Sequence, residues 1–518
     1  MMKNYNKHVF SKLSARDSLV MFLSVFISEF VCGVYLSYFK GILLNDAFSR
    51  TANAFYVLYT KPIRLASVGF VWNPLPSILQ LPFVELSKLW RPIASSEISA
   101  VIVTAASAAF GALILFKAFT RFNIQKKYSI IITLLYAFNP FIFFYGMNGM
   151  SEETFFLAAI YAVVNMTLWM KEGNPEYIIK IAIALTVAFF CRYEAIPFAG
   201  AIGLGVLINI FFGKKEKKFI PSNMKREKYY YAEGTAIVLY APLIYGILLW
   251  IFLNWTIMGN PLYFLNSTYS NSSQSEYTSA IKSPVEALTY VIQRAIPFLI
   301  LFFAIILIRL AVKRVLKSDF FILCILVSAM LIFHFIMIIK GKSYGWLRFF
   351  SYSLPICIAW IPYEMSEVKR MFKKAAFIII CVSLVISSVL TYKALSDPVF
   401  GVEEHYVVVS QESKEIAQYI NEELPDEKVM MDSFTTSGII LNVNNINNLV
   451  ISSNLNFNEC LNNLEKYRIK YIVVPDPDNG TWSLDAFNKK YHNLYKNGAD
   501  WCTLKKEFEN YKIFEVTD

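Results

Sequence analysis

Residues 43–76 read LLNDAFSRTANAFYVLYTKPIRLASVGFVWNPLP, and they directly follow the first long apolar run of the chain. An acid (Asp46), three basic residues (Arg50, Lys61, Arg64), three amides (Asn45, Asn53, Asn73) and a Trp72-Asn73-Pro74 turn collect here. A segment that only joined two apolar helices would not need this content. Asp46 and Arg50 are four apart, so on a helix they share a face. One reading is a local ion pair of little consequence. The other makes Asp46 a proton acceptor and Arg50 a binder of phosphate or carboxylate, with Asn53 as a further polar contact. Trp72 and Asn73 admit two readings as well. They suit an interface anchor and turn, or an indole and amide that stack on and hydrogen-bond a sugar.

Outward from this stretch the chain is oily. Of 518 residues, 56% are hydrophobic and 16% aromatic, and only 17% are charged, against about 25% in soluble domains. Many windows reach about 18 apolar residues, enough to cross roughly 30 Å of hydrocarbon. The first apolar run is long, lacks a small-residue cleavage site and is followed by many more, so it is expected to stay as a membrane span. Eleven spans are predicted, over 18–38, 98–119, 128–145, 154–170, 181–191, 195–212, 232–255, 294–311, 319–339, 351–363 and 375–392. Between the first two, residues 74–90 are apolar but broken by Pro, which predicts an interfacial helix.

The charges orient this arrangement. Residues 1–392 hold 37 Lys+Arg against 18 Asp+Glu, whereas 393–518 hold 12 against 20. A basic excess in a membrane part reports topology, not nucleic-acid binding. With the N-terminus cytoplasmic, inside segments carry 25 Lys+Arg and outside loops 12, half of those in the long loop 39–97. A slip of one span would break the alternation. The expectation is a multi-pass protein of the cell membrane with a membrane domain at 1–395 and an extracytoplasmic domain at 396–518.

That tail changes character. Residues 412–424 have helical spacing, EKVMMD, NNLVIS and KYIVVP are short β-rich runs, and 456–469 and 484–496 read as helical. Alternating helix and strand predicts a small α/β domain with a mostly parallel sheet. It has neither a GxGxxG nor a P-loop. Five of the seven cysteines stand in or beside apolar runs. Cys460 and Cys502 lie in the tail, where they could pair if it is exported. The four histidines are scattered and build no metal cluster.

Charges near span ends are costly unless paired or solvated, and several fall on the predicted outer side. Glu152 and Glu153 open the fourth span, which is either the helix-dipole preference for acids or a ligand contact. Arg192 and Glu194 flank Tyr193 between two short apolar runs, and either pair internally or meet a substrate. Lys342 and Arg348 bracket Tyr344-Gly345-Trp346, which is either an interfacial belt or a cationic, aromatic site for a lipid phosphate. One strong acid, several cations and no nucleotide motif fit sugar transfer from a polyprenyl-phosphate donor. The phosphate is already a good leaving group. The acceptor hydroxyl needs one base, and the departing charge needs cations or a metal.

Five stretches in order, LNDAFSR, WNPLPS, GMSEE, RYEAIP and YGWLRFFSYSLP, together resemble the membrane glycosyltransferases of the C-type fold. Among these the chain is similar to bacterial relatives of the protein O-mannosyltransferases and of the lipid A aminoarabinose transferase. The resemblance covers residues 18–392. It implies a polyprenyl-phosphate sugar donor, an inverting hexosyl or mannosyl type of transfer to a lipid, glycan or protein hydroxyl, and a catalytic acid in the first outer loop, a role that falls on Asp46. Protein O-mannosyltransferases carry an Asp-Glu pair where this chain has Asp46-Ala47, which bears on a protein acceptor. Some relatives hold a divalent metal near the acid, which makes such an ion a candidate cofactor. A transporter or flippase of a lipid-linked glycan is the alternative. It would favour inverted repeats and mid-span charges, of which Glu29 and His334 are the few examples.

Overall fold

The computed structural model describes residues 14–213, 225–267, 270, 281, 283–315, 317–397 and 411–517. The basic N-terminal residues Lys3, Lys7 and Lys12, and Lys214 to Lys218 of the basic loop 213–228, lie outside the described residues.

The helices of the apolar part are α1 (Ala15–Val34), α2 (Asn45–Tyr59), α3 (Ile98–Arg121), α4 (Lys126–Ala137), α5 (Pro140–Met147), α6 (Ser151–Glu172), α7 (Glu176–Cys191), α8 (Ala195–Phe212), α9 (Lys225–Met258), α10 (Pro284–Ala311), α11 (Ser318–Ile339), α12 (Ser353–Glu367) and α13 (Lys373–Ser396). Among the described residues eight are long and apolar enough to cross a bilayer: α1, α3, α6, α8, α9, α10, α11 and α13. The chain is a multi-pass membrane protein. The other three predicted spans are helical but depart from a straight crossing. The pair α4 and α5 bends by 67°. Pro140 follows Asn139, whose side chain caps α5 by accepting from Phe141 N at 3.1 Å. Helices α7 and α12 have sixteen and fifteen residues. At about 1.5 Å per residue they fall short of a roughly 30 Å hydrocarbon layer. Helix α12 is buried from Ser353 to Met365, so protein rather than lipid surrounds it.

Two compact units result. The first joins the described parts of 1–32, 70–76 and 101–405. Its helices α10, α11 and α12 are tied by a buried ionic group. Arg309 donates to both Asp319 oxygens at 3.2 and 3.1 Å and to Glu364 at 2.8 Å. Arg314 and Tyr363 also reach Asp319. Arg309 and Arg314, at the end of a predicted span, are structural bridges in the fold.

The second unit joins 33–69 and 77–100 to the described part of 406–518. Its tail comprises α14 (Gln411–Glu423), β1 (Val429–Met431), α15 (Ser433–Ile440), β2 (Leu449–Ile451), α16 (Phe457–Asn462), β3 (Tyr471–Pro475), α17 (Ala486–Lys490), β4 (Cys502–Glu507) and β5 (Tyr511–Val516). The sheet order is β2-β1-β3-β5-β4. The expected parallel pairing holds for β2, β1 and β3, but β5 and β4 add an antiparallel hairpin. Strand β4 buries only Cys502, so CTLKKE carries no alternation to betray it. Cys460 and Cys502 stand as free buried thiols in the core on one side of this sheet.

The other core of the unit is shared. Phe48, Ala52, Phe55 and Tyr56 of α2 pack in one cluster with Ile416 and Ile420 of α14, Val429 and Met431 of β1, and Ile439 of α15. Helix α2 thus belongs to the interior of the α/β domain. The segment 74–90 becomes short helical turns at Leu75–Ile78, Leu81–Val84 and Glu85–Lys88. Leu86, Leu89 and Trp90 remain exposed.

Candidate active site

In the second unit, the spacing of α2 sorts its side chains. Asp46, Arg50 and Asn53 stand at i, i+4 and i+7 and share one face. Phe48, Ala52, Phe55 and Tyr56 point to the core on the other. Asp46 lies in the first turn, where the helix dipole favours an acid, and is half-buried; Arg50 is buried. Gly69, at φ +80°, turns the following loop so closely onto Asn53 that a Cβ there would come within 3.2 Å of the amide nitrogen. Glu97 was not anticipated. It is buried, has φ +56°, and takes a hydrogen bond from the Leu44 backbone just ahead of α2. Burial pushes its carboxyl well above the ordinary range, and its bond to Leu44 fastens the start of the helix that carries Asp46.

In the first unit, four predicted residues converge. Arg192, at the end of α7, forms a short ion pair with Glu152 and donates to Ser151 Oγ at 3.1 Å and to Glu194 Oε1 at 2.7 Å. Arg348 Nε stands 3.4 Å from the same Glu152 oxygen. Glu194 also accepts from the Tyr352 hydroxyl at 3.0 Å. The internal pairing considered for Arg192 is therefore real, and it draws in Arg348. Burial works against the Arg192 charge, but Glu152 and Glu194 outweigh it and hold the guanidinium well above its usual value. Burial likewise raises Glu194, yet Arg192 and then His334 bring it down to about 2. The four side chains, two carboxyls and two guanidines, stand together in a nearly dry setting.

An aromatic wall backs this group. The Arg348 guanidinium lies 3.8 Å from the Trp346 ring centroid, and Arg192 and Arg348 both face Phe349. His334 stacks on Phe349 and Tyr352, which gives the mid-span histidine a place in the site. Tyr344 stacks on Trp346 at 4.5 Å. Lys342 is exposed on the same loop. Arg294, which the sequence did not single out, covers Tyr290 at 3.6 Å, and Tyr290 donates to Gly345 O. Asn73 is structural. Its amide donates to the Phe189 carbonyl at 2.5 Å, while Tyr193 donates to the neighbouring Val71 carbonyl. Trp72 beside it is half-buried. These bonds fix the turn before Arg192. Tyr352 and Ser151 could have been found from their spacing to Arg348 and Glu152; nothing in the sequence pairs Trp250 with Tyr193, to which its indole donates.

Among the described residues no group of three or more His, Cys, Asp or Glu side chains is arranged to hold a metal ion.

No protein-family profile matches the chain, and no curated protein matches it in sequence. Solved structures do match. ArnT from Cupriavidus metallidurans aligns in its apo state with a TM-score of 0.56 and bound to undecaprenyl phosphate with 0.55. Both show 13% identity and cover 97% of this chain and 98% of that one. The archaeal oligosaccharyltransferase AglB from Archaeoglobus fulgidus, in complex with an inhibitory peptide and a dolichol-phosphate, aligns at 0.47 and 12% identity over 92% of this chain and 70% of that one. Nearly end to end, the helical part and the C-terminal sheet domain together share the fold of ArnT, the C-type glycosyltransferase fold.

Proposed function

We propose that this chain transfers a sugar from a polyprenyl-phosphate donor to an acceptor hydroxyl at the outer face of the membrane. The observation that carries the reading is the buried Arg192–Glu152–Arg348 group on its aromatic wall, in a chain with the fold of ArnT. ArnT has been seen with undecaprenyl phosphate bound, and the same class of carrier is assigned here. The outward orientation rests on the 25 basic residues of the inside segments against 12 outside.

In the reaction the acceptor oxygen forms a bond to the anomeric carbon as the bond from that carbon to the phosphate oxygen breaks. The acceptor proton passes to Asp46, and the bonding pair leaves with the lipid phosphate. Attack opposite the leaving group inverts the anomeric centre. Arg348 is the cation best placed to receive the phosphate. Its Nε stands 3.4 Å from Glu152, farther than the Arg192 guanidinium stands from either carboxylate. Arg192 stays paired and keeps Glu152 from repelling the donor. Lys342 adds positive potential on the loop that carries Arg348, and Tyr344, stacked on Trp346, belongs to the sugar-binding surroundings. The acceptor is a lipid, glycan or protein hydroxyl.

Release of free polyprenyl phosphate from a labelled polyprenyl-phosphate sugar, by the full chain in nanodiscs, reports turnover whatever the acceptor. Asp46→Asn is expected to cost about 10²–10⁴ in rate, the worth of a positioned base, with donor still bound. Arg348→Gln is expected to cost about 10²–10³. Full turnover by Asp46→Asn would remove the base from the scheme. Uptake of a lipid-linked glycan by sealed vesicles that survives the same substitution would point to transport instead.

A further inference from the structure

The second unit contains a cavity of about 720 Å³ that the transfer chemistry leaves unused. One wall is the end of α2 and the turn after it (Tyr59, Lys61), a second is the segment Ser87 to Arg91, and the third is the asparagine-rich loop that follows α15, Asn444 to Asn447. Three cations line it, Lys61, Lys88 and Arg91, and no carboxylate does among the described residues. Their commitments differ. Arg91 is spent on structure: it donates to the carbonyls of Ile440, Leu441 and Val443 at 3.2, 2.7 and 2.8 Å. It thereby clips the end of α15 and fixes the shape of the cavity. Lys88 pairs with Glu85 at an exposed position, a contact of little net worth. Lys61 is exposed.

The rest of the lining suits sugars. Tyr59 is held in place, its ring stacked on Phe55 at 4.2 Å and its hydroxyl 3.2 Å from Ser87 Oγ. A fixed aromatic face is a platform for the C–H side of a pyranose. Asn444 and Asn447 expose side-chain amides that both donate and accept. The volume lies within the range of small-ligand sites. A polyvalent anion with hydroxyl-bearing rings satisfies the cations, the amides and the ring at once. A neutral sugar would leave Lys61 unanswered, and a simple phosphate would leave the amides and Tyr59 unused.

We infer that this cavity binds an acidic glycan, one whose sugars carry carboxylate or phosphate groups, as part of the acceptor. The inference rests on the transferase reading above for the word acceptor, but its binding test does not. Calorimetry on the full chain in nanodiscs would compare a galacturonic acid trimer with the uncharged galactose trimer. The acidic trimer is expected to bind, more weakly as salt rises, and the neutral one at least about tenfold less tightly. Lys61→Gln combined with Lys88→Gln is expected to weaken the acidic trimer by about tenfold and to flatten its salt dependence. The corresponding Arg substitutions should retain binding, and Asp46→Asn should leave it unchanged. Equal binding of both trimers, no binding of either, or an unaffected double variant would each overturn the assignment. Turnover of the polyprenyl-phosphate sugar in the same preparation separates the two ideas. Loss of the trimer with intact turnover removes only the glycan site, and binding without turnover removes only the reaction.

Discussion

Two buried acids of the second unit are held above the ordinary carboxylate range, and that sets a sign for its response to pH. Burial, and then the neighbouring Asp432, push Asp485 from 3.8 up to about 7. Its oxygens accept from Phe487 N at 2.9 Å and from the Thr435 hydroxyl at 2.7 Å. Glu97 moves the same way. Between the ordinary and the raised value the folded chain holds a proton that the unfolded chain has released. Stability is therefore fully present below the ordinary value and is lost as pH rises through the folded one. Each pH unit of that window is worth up to about 1.4 kcal/mol for one group. Melting of the second unit is expected to fall from about pH 5 to about pH 8, and Asp485→Asn, which can still accept from Phe487 N, should flatten the decline. A profile already level in the unsubstituted chain would contradict the buried-proton account. Sequence spacing alone placed Asp46 and Arg50 on one face of a helix, and the structure adds Asn53 to it. Glu97 was not legible in that way. A single acid ahead of an apolar run looks like any span boundary until the fold buries it against Leu44.

At the level of whole elements, the ionic group of α10, α11 and α12 decides how three helices meet. Arg309 is fully buried and bonded to both Asp319 and Glu364. Removing one partner of such a group leaves the others charged and unpaired, at a cost of about 3–5 kcal/mol. Arg309→Met should therefore lower the melting temperature sharply. Adding Glu364→Leu should restore part of the loss, because the two effects are coupled. A penalty no larger than that of an exposed pair, under about 1 kcal/mol, would mean that the network is not what joins these helices. Hydropathy found all eleven apolar segments, because transfer out of water is a property of composition. It could not tell a lipid-facing helix from α12, which protein surrounds, nor foresee the bend at Pro140. Both depend on what packs alongside. The three parallel strands were visible as apolar runs. The final hairpin was not, since β4 is an edge strand with one buried residue.

For the molecule as a whole, the telling feature is that the α/β domain completes only one of its two cores by itself. Phe48, Phe55 and Tyr56 of α2 fill the interior otherwise made by α14, β1, β2 and α15. Arg91 caps the α15 carbonyls, and Arg64 donates to the Ser453 carbonyl at 2.7 Å beyond the end of β2. The loop after the first span and the domain at the end of the chain are thus one folding unit, although more than three hundred residues separate Arg64 from Ser453. The tail is in this view the packing partner that gives α2 its position, and with it the face that carries Asp46. Each large apolar side chain returned to water costs about 1.5–3 kcal/mol, more than a fifteen-residue helix can recover alone. A chain ending before residue 406 is expected to insert in the membrane, to become sensitive to limited proteolysis between residues 45 and 59, and to lose release of polyprenyl phosphate. Phe55→Ala in the full chain should show a milder form of the same change, with a loss of about 3–5 kcal/mol in the second unit. If the shortened chain kept α2 protected from protease, the shared core would not be what orders it. Retained turnover by that chain would reduce the domain to an accessory of the transfer site.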